Sequence, residues 1–321
     1  MASRDGNGWV RCDLGHRHWG RHGAAGLLAY VAGGPVLLQR RTWWSHHGGT
    51  WGLPGGARDS HESAIEAAFR EAAEECGVPA GAARCRSLFI DDHGGWSYTS
   101  VLAQASAPFP VESDDDETDD VAWVALAEVT ALDLHPGLAA HWARLQAELA
   151  PVTIIVDGAN VVGSRPDGWW RDRVGAALRL RDQLVPLVTD GITELPTGQD
   201  ALARAPAAGE QRLDGAAAGG SRGPGRSARG TAGMADGQVR MRWLPDVVLV
   251  VEGAARPAAA HDGASPVEVV AASGAGDDTI AALAATTAGQ RIVVTADREL
   301  RQRCLVAGAT VAGPGWLLRL L

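Results

Sequence analysis

Apolar positions recur with two different periods along the chain, and the change falls near Pro151. Before it, the apolar runs 24–32 and 34–41 flank a Gly-Gly pair and predict a β-hairpin. Residues 63–76 have helical spacing, and shorter strand and helix patterns follow up to residue 150. We therefore expect residues 1–150 to form a domain of mixed β and α structure in which strands dominate.

After Pro151 the strand patterns become continuous apolar runs, which are typical of strands buried on both faces of a parallel sheet. The run 152–157 is β-branched and ends in an aspartate, and helical patterns alternate with the later runs. The further strand candidates lie in 245–253, 267–272, 291–297 and 309–313. This alternation predicts that residues 151–321 form a doubly wound α/β domain.

Residues 201–240 fit neither pattern. They contain nine glycines and few large apolar side chains, so we expect a flexible insert within the second domain. Five of its arginines could contact nucleic acid, although a solvated linker is the simpler interpretation. These arginines are Arg212, Arg222, Arg226, Arg229 and Arg240.

Composition excludes some classes of protein. The chain of 321 residues is 46% hydrophobic and 21% charged, and no apolar run reaches the roughly 20 residues that span a bilayer. The N-terminal residues lack the apolar core of a secretory signal, so we expect a cytoplasmic protein without a membrane segment. The net charge of −9 disfavours non-specific binding of polyanions by the whole surface.

The four cysteines contain no CxxC pair, which argues against a disulfide framework and against a complete zinc site. Cys12 lies close in sequence to His16, His18 and His22, so this segment could hold a metal. A polar segment that leads into the first strand is the simpler interpretation, because no second ligand pair with zinc spacing follows.

The helix predicted over 63–76 carries an unusual stripe of acids. Glu71, Glu74 and Glu75 have i, i+3, i+4 spacing, beside an apolar face that includes Phe69 and Ala72. Like charges at this spacing repel, and the stripe has no evident basic partner. Hard divalent cations prefer oxygen ligands, so the stripe predicts a Mg²⁺ or Mn²⁺ site.

The order of polar residues around this helix resembles the Nudix box over its 23 residues. Gly56 precedes Glu62 by five intervening residues, seven more separate Glu62 from Arg70-Glu71, and Glu74-Glu75 and Gly77-Val78 complete the pattern. Ala72 stands where the family usually has a larger aliphatic residue. Because every polar position of the box is filled, a degenerate sensor without activity is disfavoured.

The resemblance implies an α/β/α sandwich that hydrolyses a nucleoside diphosphate linked to another group. By position, Glu71, Glu74 and Glu75 would bind the metal and act in catalysis, with the Gly56 carbonyl completing the shell. Glu62 and Arg70 would form a structural ion pair.

Glu117 precedes the strand run at 121–124, where Nudix proteins often supply a further acid. We consider it a candidate catalytic residue, and a solvated acidic loop over 112–120 is the equal alternative. Trp43, Trp44 and Trp51 could stack on the base of a nucleotide substrate.

Acids also mark the strand ends of the second half. Asp157 and Asp297 each follow a buried strand, and Asp277-Asp278 open a helix. Acids at the carboxyl ends of parallel strands converge on one crevice, which again suggests a divalent metal. The alternative is that these aspartates cap helices, and Asp277 is the one best placed to do so.

The sequence "VDGAN … GDD … TADRE" resembles the NYN branch of the PIN-like nucleases, over about 152–316. The resemblance implies a metal-dependent ribonuclease in which Asp157, Asp277 and Asp297 bind Mg²⁺ or Mn²⁺. Asn160 and Asp278 would support them, Asp278 as a further metal ligand, and Arg298 would contact phosphate. RNA is then a possible partner. The alternative is a C-terminal half that only binds RNA or a protein.

Overall fold

The computed structural model describes residues 4–113, 118–166, 168–197, 237–261 and 263–321. Numbered in chain order, the strands are β1 (Trp9–Arg11), β2 (Arg17–Trp19), β3 (Ala24–Val31), β4 (Val36–Arg41), β5 (Trp51–Gly52), β6 (Gly55–Ala57), β7 (Ala83–Asp92), β8 (Ser97–Ala105), β9 (Thr118–Val124), β10 (Val152–Asp157), β11 (Gln238–Trp243), β12 (Asp246–Val251), β13 (Glu268–Ala271), β14 (Gln290–Val294) and β15 (Thr310–Ala312). The α-helices are α1 (Ala64–Cys76), α2 (Pro136–Ala147), α3 (Gly158–Gly163), α4 (Arg173–Thr189), α5 (Gly276–Thr286), α6 (Arg298–Val306) and α7 (Pro314–Leu320).

The first sheet is mixed and lies between two helices. Strand β3 pairs in parallel with β8, whereas β4 pairs antiparallel with β9 and β7 antiparallel with β8. Small residues of α1, including Ala68 and Ala72, pack on one face of this sheet. Leu138 and Trp142 of α2 pack on the other face. The expected α/β/α sandwich with a mixed sheet is thus confirmed.

The second sheet is parallel, in the order β13-β12-β10-β14-β15. Strand β10 is the first strand of this half, and it pairs with both β12 and β14. The strands of this sheet that come next in the chain lie on one side of β10, and the last two lie on its other side. Helices α4 and α7 contribute to the core on one face, and α5 and α6 contribute to the core on the other. The prediction of a doubly wound parallel sheet therefore holds, and the carboxyl edge beside β10 is the place where such sheets hold ligands.

Strand β11 belongs to the first sheet although it comes late in the chain. It pairs antiparallel with β7 at the sheet edge, from Gln238 opposite Asp92 to Trp243 opposite Ser87. The prediction extended the Gly-rich insert to residue 240, but the alternation of exposed and half-buried residues in β11 is that of an edge strand. A boundary at residue 150 also assigns this strand to the other half of the chain.

The sequence predicted no membrane segment and a Gly-rich insert. Among the helices that the structure describes, none combines the length and the apolar character needed to cross a membrane. Residues 201–236 of the predicted insert lie outside the described residues, as do four of the five arginines named above. Arg240 is described, and it pairs with Asp92 on β7.

Candidate active site

Helix α1 begins and ends at well-defined caps. The Ser63 hydroxyl accepts a hydrogen bond from the Glu66 N–H at 3.2 Å, and the Glu66 carboxylate accepts one from the Ser63 N–H at 2.8 Å. This capping box uses Glu66, so that carboxylate serves the helix start. The helix ends at Gly77, whose left-handed backbone donates to the carbonyls of the last turn.

Arg70 ties the helix to the loop that precedes it. Its guanidinium donates to both carboxylate oxygens of Glu62, at 2.6 and 2.8 Å, and to the Ala57 carbonyl at 3.2 Å. Hydrogen bonds from Arg70 lower the pKa of Glu62. The predicted pair between Glu62 and Arg70 is therefore present, in the two-point geometry that fixes orientation as well as distance.

The acidic stripe has basic partners, contrary to the expectation from the sequence. Arg70 Nη1 lies 2.7 Å from Glu71 Oε1 and 3.4 Å from Glu74 Oε2. Arg4, from the N-terminal segment, also pairs with Glu74. Arg70 stands i, i+4 from Glu74, so helix spacing alone could have indicated this pair, whereas Arg4 is far away in sequence.

Glu75 is the most buried of the three acids, with 6% of its surface exposed. Its carboxylate accepts hydrogen bonds from the Gly55 N–H at 2.7 Å and from the Gln39 amide at 3.1 Å. Burial and, as a smaller effect, the neighbouring Glu71 carboxylate nevertheless raise the pKa of Glu75 to about 8. Burial also raises the pKa of Glu71, against the opposing effect of Arg70.

Gly56 lies directly against this group. A Cβ atom at this position would come within 2.7 Å of the Glu71 carboxylate carbon, so only glycine leaves the carboxylate its present place. Burial raises the pKa of both carboxylates, and a divalent cation between them would stabilise their anionic forms. The residues present thus fit a hard divalent metal. Gly56 lies on β6, and the three glutamates lie on the second half of α1, where Glu71 and Glu75 face β6.

The other predicted residues of the first half have different positions. Glu117 lies outside the described residues. Trp43 and Trp44 lie on the loop between β4 and β5, with 80% and 56% of their surface exposed. Trp51 is half-buried on β5.

The acids of the second half gather at the carboxyl edge of the parallel sheet. Asp157, at the end of β10, is 6% exposed and accepts hydrogen bonds from the Asn160 N–H at 3.0 Å and the Thr295 hydroxyl at 2.8 Å. The same hydroxyl accepts from the Asp297 N–H at 3.1 Å. Burial raises the pKa of Asp157, and the charges of Glu252 and Asp297 raise it further.

Asp277 faces the same group from the first turn of α5. Burial raises its pKa, followed by the charges of Asp297, Asp157 and Glu252. The idea that Asp277 caps its helix is wrong, because Ala275 is the N-cap and no side chain caps α5. Asp157 and Asp297 are the caps instead, of α3 and α6.

Glu252 completes this acidic group, and the sequence interpretation missed it. Its carboxylate accepts from the Gly276 N–H at 2.6 Å and thereby joins the end of β12 to the start of α5. Asp278, predicted as a ligand, instead pairs with Arg303 at 2.8 Å, and its side chain is 75% exposed. Asn160 supports the edge by accepting a hydrogen bond from the Ala296 N–H at 3.0 Å.

Comparison with known proteins identifies the first half. The model of the NUDIX domain matches residues 20–145. A protein of Mycobacterium tuberculosis named "Putative 8-oxo-dGTP diphosphatase 3" is 47% identical over 160 residues, which cover 47% of this chain and 72% of that relative. The chain belongs to the Nudix hydrolase family. As a Nudix hydrolase it is a metal-dependent enzyme that acts on a nucleotide.

Two further relatives are similar to part of this Nudix hydrolase. A "Nucleoside triphosphate pyrophosphatase/Nudix hydrolase fusion protein" of Bifidobacterium longum is 39% identical over 152 residues, which are 45% of this chain and 32% of that relative. The crystal structure of a Nudix hydrolase from M. smegmatis, RenU, is 46% identical, with 44% of this chain and 94% of that chain covered and a TM-score of 0.41.

Proposed function

We propose that the first half of the chain cleaves the pyrophosphate bond of a nucleoside diphosphate linked to another group. Glu71, Glu74 and Glu75 would hold Mg²⁺ or Mn²⁺, with the Gly56 carbonyl as a further ligand. The observation that carries this proposal is the burial of the Glu75 carboxylate beside Glu71. Burial raises the pKa of Glu75, and a bound cation would stabilise its anionic form.

The chain's own residues have distinct roles in this proposal. A bound divalent metal neutralises charge on the phosphate oxygens and lowers the pKa of water. One glutamate of the helix, or Glu117, accepts the proton of the attacking water. Arg70 and Glu62 hold the turn and the helix in register, so that the three carboxylates keep their spacing.

Purine nucleoside triphosphates are the substrate class to test first, with the oxidised nucleotide 8-oxo-dGTP included. The name of the Mycobacterium tuberculosis relative supports this choice. The exposed indoles of Trp43 and Trp44 also offer flat surfaces on which a base can stack.

Release of phosphate and pyrophosphate by the full chain across a panel of nucleotides tests the proposal. With Mg²⁺ or Mn²⁺ present, we expect Glu75→Gln and Glu74→Gln to lower kcat by at least about 10²-fold on the preferred substrate. Glu66→Gln is the matched control, because glutamine also serves a capping box and Glu66 faces solvent on the same helix. Equal turnover by wild type and Glu75→Gln would contradict the metal assignment.

For the second half we propose a metal-dependent ribonuclease of the NYN/PIN-like type, with RNA as the partner. Asp157, Asp277 and Asp297 would bind Mg²⁺ or Mn²⁺, with Asn160 as a supporting residue. The gathering of three acids and Glu252 at the direction-reversing edge of a parallel sheet supports this second function.

RNA cleavage by the full chain with Mn²⁺ tests the second function, in a Glu75→Gln background that silences the first site. We expect Asp157→Asn and Asp277→Asn to abolish cleavage and the exposed Asp182→Asn to leave it unchanged. RNA binding without cleavage in wild type would favour the alternative, a C-terminal module that binds RNA without cutting it.

A further inference from the structure

Four metal-ligating side chains converge beside the first sheet, far from the acids of helix α1 in sequence. They are Cys12, His16, His18 and His93, and each offers one ligand atom within 4.8 Å of all the others. The sequence pointed to the first three and to His22. His22 instead lies 3.8 Å from Asp5, and His93 from the turn between β7 and β8 takes the fourth position.

Two members of the cluster are buried, and the other two each have a buried nitrogen without a hydrogen-bond partner. Cys12 is 5% and His93 7% exposed. His16 Nδ1 and His18 Nε2 are buried atoms without a hydrogen-bond partner. Buried nitrogens of this kind are uncommon because each leaves its desolvation uncompensated, and a bound ion is one of the few explanations.

His93 is oriented as metal-bound histidines are. Its Nε2 lies 3.0 Å from Asp91 Oδ2, which makes Nε2 the protonated nitrogen and leaves a lone pair on Nδ1. That Nδ1 lies 4.0 Å from Cys12 Sγ. A carboxylate that holds the far nitrogen of a ligating histidine is a recurring feature around bound metals.

We propose that Cys12, His16, His18 and His93 form a structural site for a zinc ion. One thiolate and three imidazoles are a tetrahedral ligand set of the kind that closed zinc sites use. Ligand atoms on tetrahedral zinc lie roughly 3.3 to 3.6 Å apart. Side-chain rotations that move each ligand atom by under about an ångström would therefore bring the four atoms to these distances. The oxygen-rich acids of helix α1 select Mg²⁺ or Mn²⁺ instead, so the two sites take different metals.

The hairpin of β1 and β2 is the element that such an ion would hold. It forms a two-stranded sheet of its own with three residue pairs, and isolated hairpins are marginal in water. Its other attachments to the β7–β8 turn include the Asp13 N–H to the Gly94 carbonyl at 2.9 Å and the stacking of His18 on Trp96. The segment just before the hairpin reaches the loop between β6 and α1, where the Gly6 N–H donates to Asp59 at 2.7 Å. The zinc ion would thus fix the β1–β2 hairpin, and with it the N-terminal segment that contacts the loop between β6 and α1.

Metal analysis of the full chain without a histidine tag tests this site. After gel filtration we expect about one zinc per chain by mass spectrometry, retained in Glu75→Gln and lost about tenfold in Cys12→Ser and His93→Gln. Cys85→Ser and His261→Gln are the matched controls, because these side chains lie outside the cluster, and we expect both to retain zinc.

Replacement of zinc by Co²⁺ gives a second readout that does not depend on a variant's folding. Wild type should show the strong visible bands of tetrahedral cobalt and a thiolate-to-cobalt charge-transfer band, which Cys12→Ser loses. The proposal is overturned if wild type binds neither zinc nor Co²⁺ with these bands, or if Cys12→Ser and His93→Gln both keep their zinc.

Discussion

The carboxylates of helix α1 differ in burial and in their partners, and their roles differ accordingly. Glu66 holds the helix start, Glu62 holds Arg70, and Glu75 is buried with two hydrogen bonds that do not neutralise its charge. Glu71 and Glu74 share one nitrogen of Arg70. At the residue scale, the part of the group that needs a cation is therefore Glu75 with Glu71.

Gly56→Ala tests how closely the turn fits the Glu71 carboxylate. The added methyl would lie 2.7 Å from that carboxylate, which can move because it ends a flexible side chain. We expect a small loss of stability, below about 2 kcal/mol, with a fall in kcat/KM of about 10²-fold because a ligand is displaced. Nucleotide hydrolysis at varied Mg²⁺ and thermal unfolding measure the two effects.

Gly52→Ala is the matched control for that variant. Its added methyl would meet only the His135 Cβ, at an ordinary 3.6 Å. Full activity in Gly56→Ala would show that the Glu71 carboxylate need not keep its present position.

His135 gives the fold a dependence on pH. Burial lowers the pKa of His135 to about 4, with smaller effects from His47, Arg41 and His46. Its neutral Nδ1 accepts the hydrogen bond from the Gly137 N–H that caps α2. Between pH 6.5 and 4 the unfolded chain binds a proton at this residue and the folded chain does not, so the free energy of unfolding falls as pH falls.

His135→Asn should flatten this dependence, because asparagine can cap the helix without taking up a proton. The difference should amount to roughly 1–3 kcal/mol at pH 4 relative to pH 7, reduced by partial exposure. Urea unfolding across this pH range measures it, with the exposed His61→Asn as control. Parallel pH profiles for wild type and His135→Asn would refute the assignment.

At the scale of elements, the pair between Arg70 and Glu62 couples the β6–α1 loop to the helix. Arg70→Ala leaves Glu62, whose side chain is 11% exposed, without its partner. We expect a loss of about 2–4 kcal/mol in the free energy of unfolding, which Arg70→Lys restores only in part because lysine lacks the two-point geometry. Denaturant unfolding measures these changes.

A double-mutant cycle separates the pair from its surroundings. Arg70→Ala combined with Glu62→Gln should be less destabilised than the sum of the two single changes. Arg84→Ala, which breaks an exposed pair with Asp246, should cost at most about 1 kcal/mol. Additive effects at Arg70 and Glu62 would mean that the two side chains stabilise the fold independently.

Local spacing made α1 and both sheet types predictable from the sequence. Residues that meet through the fold were harder to find. Glu252 stands alone at the end of β12, and His93 joins Cys12 only because the β7–β8 turn lies against the hairpin. Asp278 was overassigned because neighbouring residues on a helix point about 100° apart, so Asp277 and Asp278 face different partners.

At the scale of the whole molecule, β11 joins the two halves of the chain. Strand β11 belongs to the first sheet, and only two residues separate it from β12 of the second sheet. Trp243 pairs with Ile192 through its backbone, and its indole donates to Glu148 at 2.8 Å. Arg86 reaches Asp246 at 2.8 Å. The two sheets are therefore joined by a two-residue link between β11 and β12 and by several polar contacts.

A chain divided between Ala150 and Pro151 should reassemble from its two co-expressed fragments. The second fragment carries β11, which completes the edge of β7 in the first fragment, and an uncovered edge strand favours aggregation. We expect the fragments to copurify and to unfold in one transition. Met241→Asp, which puts a charge at a half-buried position of β11 on the core side, should abolish copurification. The exposed Gln238→Ala is the control. A first fragment that purifies alone as a soluble monomer with an unchanged midpoint would show that β11 is dispensable to the sheet it joins.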